Sequence, residues 1–326
     1  MRRERGTDTL VRCAWLYHTL ERTQHEVATE LGLSRATVVR MLKEAKQRGL
    51  VRVTVEFPVR LLELAEQLRE RWASHGMREV RLVPSVRGGE EQKEVLGAEL
   101  AALLPPTRGR TVAVSWGTTV SAGVDRLPVL EPVDGNGAAG TRVVSMLGGV
   151  GGSTHAVDPY GVAVRLGQRL GGSVHPLPAP MYTRDRTMAD LLAGHASVRG
   201  PLELAAGADV ALFGVGGLES LSTIVRLGVI TPDVQRWLRE EGAVGEVVGR
   251  FLDVEGRPLA TATDRLRPIC LGLDQLRAVP DRICVGGGPD KHDILLATLR
   301  AGLVTRLLTD ERTAERLLAD DATDAA

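Results

Sequence analysis

Residues 23–48, TQHEVATELGLSRATVVRMLKEAKQR, leave the chain fewer conformational choices than any other stretch. Thr23 is a favoured N-cap type, and Glu26 stands three residues on, the spacing of a capping box. Val27, Ala28 and Leu31 give the first helix one apolar face. Gly32 ends it, because a sharp helix–helix turn requires a positive φ that glycine adopts without steric cost. Leu33 fills the corner and Ser34 caps a second helix, whose apolar positions Val38, Met41, Leu42 and Ala45 recur at helical spacing. Ala28 is small where two helices must cross closely. These features in this order predict a helix-turn-helix. The open face of the second helix would carry Arg35, Thr37, Arg40, Lys43 and Lys46, with Gln24 and Ser34 at the two helix starts. Such side chains reach phosphates and base edges in a major groove. The plainer alternative is a helical hairpin with a solvated basic face.

Charge distribution agrees with the first reading. The 326-residue chain has a formal net charge of zero, yet residues 1–60 hold twelve Lys/Arg against seven Asp/Glu, so that end is at +5 and the remainder at −5. A basic end on a mildly acidic body favours double-stranded DNA as a partner of the N-terminal part only. A hydrophobic fraction of 43% is enough for a sizeable core, and the length suggests about two domains. Cys13, Cys270 and Cys284 lie far apart with no metal-ligand spacing, as expected of small apolar core residues in a reducing compartment. The start, MRRERGTDTLVRCAW, lacks the apolar core of a secretory signal, and no apolar run approaches the length of a membrane span. The expectation is a cytoplasmic protein with no membrane partner.

Along the chain, residues 7–20 read as a helix bracing the helix-turn-helix, and VRVTVEF after Gly49 alternates like a short strand that could form a wing. This gives a DNA-binding domain over 1–57. Residues 58–77 follow as a linker or oligomerisation helix with Leu61, Leu64, Leu68 and Trp72 on one stripe, packing within the chain's own core being the alternative. From 78 to 326 short apolar runs (80–83, 111–116, 142–147, 209–215, 283–286 and 304–308) alternate with helical segments, and several end in glycine-rich turns. That alternation argues an α/β domain with a mainly parallel sheet, whose ligands sit beyond the carboxyl ends of the strands. DGNGAAG at 134–140 reads as a surface loop.

Three glycine-rich ends could carry chemistry. In SWGTT, backbone N–H groups at a helix start and the hydroxyls of Thr118 and Thr119 suit an anion, or a Thr simply caps the helix. GGVGG at 148–152 lacks dinucleotide-binding spacing, and no P-loop is present. In GGGPDKH, Lys291 can reach a phosphate as a point charge, or stand at a surface turn, and His292 has no metal-binding partner at useful spacing. Asp253, ending another strand-like run, can accept from sugar hydroxyls or cap a turn. No catalytic motif, metal site or cofactor site is evident.

Taken together, TQHEVATELGLSRATVVRML, VSWGTT, MLGGVGG, LPAPMY, ADVALFGVGG, EGAVGEVVGRFLDVEG and VGGGPDKHDILLATLRAGLVTRLLTDERTA resemble, in order and spacing, the SorC family of sugar-responsive bacterial transcription regulators. The resemblance implies a Rossmann-like effector domain similar to sugar-phosphate isomerases and deaminases. It implies a phosphorylated sugar or polyol effector, with Gly117, Thr118, Thr119 and Lys291 at the phosphate, Asp253 at the hydroxyls, and Gly149 also among the effector-binding residues. It further implies a homo-oligomer, commonly a tetramer, that alters its grip on operator DNA when the effector binds. Two departures from the family pattern stand out: Val39 precedes Arg40 where Ser is usual, and Pro289, Asp290 and His292 flank Lys291. The rival expectation is a sugar-phosphate isomerase or deaminase with an added DNA-binding domain.

Overall fold

The computed structural model describes residues 2–51, 58–130, 140–151, 157–219 and 222–320. The wing expected at 52–57 and most of the 134–140 loop lie outside the described residues. The chain divides into two compact units, Met1–Glu56 and Phe57–Ala326.

In the first unit, α1 (Arg2–His18), α2 (Gln24–Leu31) and α3 (Arg35–Gln47) enclose a small core of Cys13, Leu16, Val27, Ala28, Val38 and Leu42. Thr23 and Glu26 form the reciprocal capping box. Gly32 ends α2 at φ +65°, and Ser34 Oγ accepts from Thr37 N at 3.1 Å to start α3. The two-helix geometry thus follows from local chemistry at its turns.

The second unit opens with α4 (Val59–Arg71), followed by β1 (Glu79–Val83), α5 (Gly89–Leu103), β2 (Thr111–Val114), α6 (Thr118–Arg126), β3 (Arg142–Ser145), α7 (Pro159–Leu170) and β4 (Ser173–His175). Then come α8 (Arg186–Gly194), α9 (Ala196–Ala206), β5 (Val210–Gly217), α10 (Thr223–Arg226), α11 (Pro232–Glu240), β6 (Gly245–Val247) and β7 (Arg250–Leu252). The chain closes with α12 (Ala260–Leu266), α13 (Leu273–Ala278), β8 (Asp281–Val285), α14 (His292–Arg300), β9 (Arg306–Asp310) and α15 (Glu311–Asp320). Seven strands form a parallel sheet in the order β1-β9-β8-β5-β2-β3-β4, and the antiparallel β6–β7 hairpin extends β5 at its carboxyl end.

The central strands β2 (TVAV) and β5 (VALF at its start) read as nearly unbroken apolar runs because both sheet faces are buried there, while β1 and β4 at the sheet edges carry polar residues. Leu82, Ala113, Val144, Phe213, Cys284 and Leu307 face one core, and their neighbours Val83, Val112, Val114, Val143, Leu212 and Ile283 face the other. The first core bears on the reading of 58–77, where packing within the chain stands as the alternative to a linker or oligomerisation helix. Leu61, Ala65 and Leu68 of α4 are buried in it together with Ala314 and Leu317 of α15, so this stripe packs on its own chain. No described helix is long and apolar enough to cross a membrane.

Candidate functional site

Chain order and sheet order diverge at one place. From β2 the chain moves outward to β3 and β4, and from β5 it moves the other way to β8 and β9. Between β2 and β5 lies a topological switch point, where crossovers part and leave a crevice beyond the strand ends. A recess of about 40 Å³ sits there, lined by Trp116–Val120 after β2, Gly214–Gly217 ending β5, Val285 ending β8, and by Ser222, Glu246 and Lys291.

At the β2 end, Gly117 takes φ +113° and becomes the N-cap of α6. No side chain caps this helix, which removes the capping reading of Thr118 and Thr119. Both threonines are half-buried in the wall of the recess, and their hydroxyls have no hydrogen-bond partner among the described residues. An uncapped helix N-terminus presents N–H donors and partial positive charge. Ser222 Oγ, also in the wall, is buried without a hydrogen-bond partner among the described residues. An orphaned buried hydroxyl is costly unless a ligand or water satisfies it.

Across the recess, Lys291 ends the short 3-10 turn Pro289–Lys291 after β8. The turn is held by Asp310, whose carboxylate accepts from Gly288 N at 2.6 Å and from Thr313 Oγ1 at 2.6 Å. Its approach to β5 is close: a Cβ on Gly217 would stand 2.4 Å from the Asp290 carbonyl oxygen and 3.9 Å from Lys291 Nζ. Half-buried Lys291 makes no ion pair among the described residues, and its desolvation pulls its pKa below the usual lysine range, against the pull of Glu246.

Glu246 is the residue sequence reasoning missed. It lies on β6 opposite Gly216, is 4% exposed, and accepts from Gly249 N at 2.9 Å and from the Trp116 side chain. Burial raises its pKa to about 7, with the Gly249 and Trp116 hydrogen bonds and Lys291 opposing. The turn that supplies Gly249 N has positive φ at both Val248 (49°) and Gly249 (77°), as a two-residue I′ hairpin requires. A β-branched residue in that region is uncommon. The available sequence signal was a lone acid inside the apolar run AVGEVV.

Two expected residues are not brought to the recess. Asp253 caps a turn, its carboxylate accepting from Arg257 N at 2.8 Å and Arg257 Nε at 2.9 Å. Gly149 is engaged with the 179–181 segment, its N–H donating to Ala179 O and its carbonyl accepting from Met181 N, both at 2.8 Å. Neither lines the recess or the larger cleft it opens into.

In the first unit, Arg35, Arg40 and Lys43 are exposed along α3, with Val39, 46% exposed, among them. Arg35 Nε donates to Gln24 Oε1 at 3.3 Å, which orients both side chains. Ser34 and Thr37 share a 2.8 Å hydrogen bond, so the Ser34 hydroxyl is committed to the helix start. Arg40 and Lys43 have no ion pair or side-chain hydrogen bond among the described residues.

Residues 58–319 match the family model described as "Putative sugar-binding domain". The chain is 29% identical over 318 residues, 96% of this chain and 93% of the relative, to the transcriptional regulator LsrR of Enterobacter sp. (strain 638). It is 28% identical, covering 96% and 94%, to the transcriptional regulator YjhU of Escherichia coli K12. The full-length sorbitol operon regulator SorC of Klebsiella pneumoniae shares the fold with a TM-score of 0.69 at 24% identity, covering 95% of this chain and 98% of that one. A sugar-binding domain of a transcriptional repressor from Vibrio fischeri gives a TM-score of 0.68 at 26% identity, covering 79% and 98%.

Proposed function

We propose that this chain, which belongs to the sugar-binding domain family of SorC-type regulators, is a transcriptional regulator whose operator binding is controlled by a phosphorylated sugar or polyol, and not an enzyme. The observation that carries the effector reading is the recess at the switch point. There an uncapped helix start, two free threonine hydroxyls and an unpaired lysine face one small volume. A phosphate dianion fits that donor set better than a neutral sugar, because Lys291 is partly desolvated and gains most from a fixed negative charge. Glu246, in the wall of the recess, is the acid that stands where Asp253 was expected, beside Lys291 and the phosphate position. DNA is read by Arg35, Thr37, Arg40 and Lys43 on α3, supported by Gln24 and Ser34. One recognition helix covers one half-site, so the working form is a cytoplasmic homo-oligomer of even order, a tetramer in our reading.

The test uses an operator selected by the protein from random duplexes and followed by fluorescence anisotropy. Arg40→Ala should weaken binding about tenfold or more, the cost of about 1–3 kcal/mol for a base-reading contact. Lys291→Ala should leave binding without effector unchanged and remove most of the response to the effector. A Lys291→Ala protein that responds at wild-type effector concentrations would refute the phosphate site.

A further inference from the structure

We propose that the effector carries a second anionic group, a carboxylate or a second phosphate, seated against Arg87, Arg226, Arg312 and Arg316. This rests on the phosphate site proposed above and extends it. The recess, at about 40 Å³, has room for only a few waters or one small group. It opens through Thr118, Gly217, Ser222, Thr223 and Lys291 into a cleft of about 590 Å³, within the range of small-molecule sites. Whatever places its phosphate in the recess must lay the rest of itself in the cleft, so the cleft decides the class of ligand.

Four arginines line that cleft, and none makes an ion pair or donates a side-chain hydrogen bond among the described residues. Several other arginines of this unit are paired, half-buried Arg81 with Glu99 and Arg165 with Asp125, exposed Arg257 with Asp253 and Arg277 with Asp274, whereas exposed Arg108, Arg110 and Arg142 are dispersed and have no ion pair among the described residues. Most acids of the cleft are already engaged. Glu90 pairs with Lys93 at 2.6 Å while also feeling Arg226, Glu219 stands 3.6 Å from Arg239, and Asp310 is taken up by Ser85, Gly288 and Thr313. Asp290 alone remains against four guanidinium groups. Arg312 and Arg316 stand on the first two turns of α15, the end where a helix dipole disfavours cations. The orphaned, buried Ser222 hydroxyl, in the wall shared by recess and cleft, marks the same path as one built around a polar ligand. A planar guanidinium fork takes carboxylate and phosphate alike. A ligand with a neutral far end would make no charge-assisted contact with any of them.

The test is calorimetric titration of the full chain with three- to six-carbon sugar phosphates, each compared with its bisphosphate and its aldonic-acid phosphate. A doubly anionic member should bind about tenfold or more tightly than its monophosphate parent, as one charge-assisted contact provides. The bisphosphate and acid arms tell which second group is used. In Arg312→Ala/Arg316→Ala, checked for an unchanged melting temperature, that advantage should collapse while monophosphate affinity stays constant. Equal affinity of parent and doubly anionic ligands, all weakened by Lys291→Ala, would overturn the second site and leave the first standing. Binding indifferent to Lys291→Ala, or no binding by any member, would overturn both.

Discussion

Glu246 shows how one buried carboxylate makes stability depend on pH. Its pKa of about 7 arises because burial costs the charged form more than Gly249, Trp116 and Lys291 return. In the unfolded chain the same group ionises in the ordinary carboxylate range. Between those two values the native state holds a proton that the unfolded state has lost. This contribution to stability is therefore full at low pH, declines as pH rises from about 4.5 towards 7, and is gone above it. At about 1.4 kcal/mol per unit the loss is on the order of 3 kcal/mol. Glu246→Gln keeps the shape and the acceptor for Gly249 N but cannot ionise. Denaturant midpoints of the variant relative to wild type should rise from pH 5 to pH 8, and parallel curves would contradict the assignment.

The elements around the recess are set by how closely their backbones approach. Gly217 ends β5 where the Pro289–Lys291 turn crosses it, and a Cβ would meet main chain rather than a flexible tip. Gly217→Ala must push the turn, and Lys291 with it, away from the phosphate position. The expected outcome is a stability loss of about 1–3 kcal/mol, with effector response abolished and basal DNA binding retained. Chemical denaturation and anisotropy on the same samples check both halves, and a fully responsive variant would show that the turn's position is immaterial. The same elements explain what a reader of the sequence could see. Thr23, Gly32 and Ser34 act on neighbours within a few residues, so the helix-turn-helix was legible from spacing alone. The central strands were legible because burial on both faces makes them nearly continuous apolar runs. Lys291 and Gly117 could be brought together by the rule that strand carboxyl ends share one rim. Glu246 and Asp253 could not be ranked. Which of two acids seven residues apart faces the recess depends on β6 pairing with β5 across almost thirty intervening residues. The role of α4 was equally hidden, because an amphipathic stripe has the same sequence whether it meets its own chain or a partner.

At the scale of the whole molecule, a ligand signal has a short physical route from the cleft to the start of the second unit. Gly288 N, in the turn that carries Lys291, donates to Asp310 Oδ2 and to Thr313 Oγ1 at 3.0 Å, so the turn is tied to the first residues of α15. The same end of α15 bears Arg312 and Arg316 at the cleft and, at Glu311 and Glu315, an ion pair with Arg60 of α4, 2.8 Å for Glu311. Helix α4 is the first described element of the second unit, directly after the first unit in the chain. An anion drawing Arg312 and Arg316 inward acts directly on the helix against which α4 is packed. Exposed ion pairs of this kind contribute at most about 1 kcal/mol to stability, and the apolar contacts of Leu61, Ala65 and Leu68 hold α4 in place without them. Arg60→Glu should therefore leave the fold intact but set like charges against Glu311 and Glu315, loosening α4 from α15. The expected result is near-normal effector affinity and near-normal DNA affinity measured separately, with the effector-induced change in DNA affinity reduced about threefold or more, a loss of coupling of about 0.7 kcal/mol. Because coupling free energy is reciprocal, saturating operator DNA should then shift effector affinity less by the same factor. Titrations run in both directions measure this. An undiminished response in Arg60→Glu would exclude the α15–α4 contact as the route.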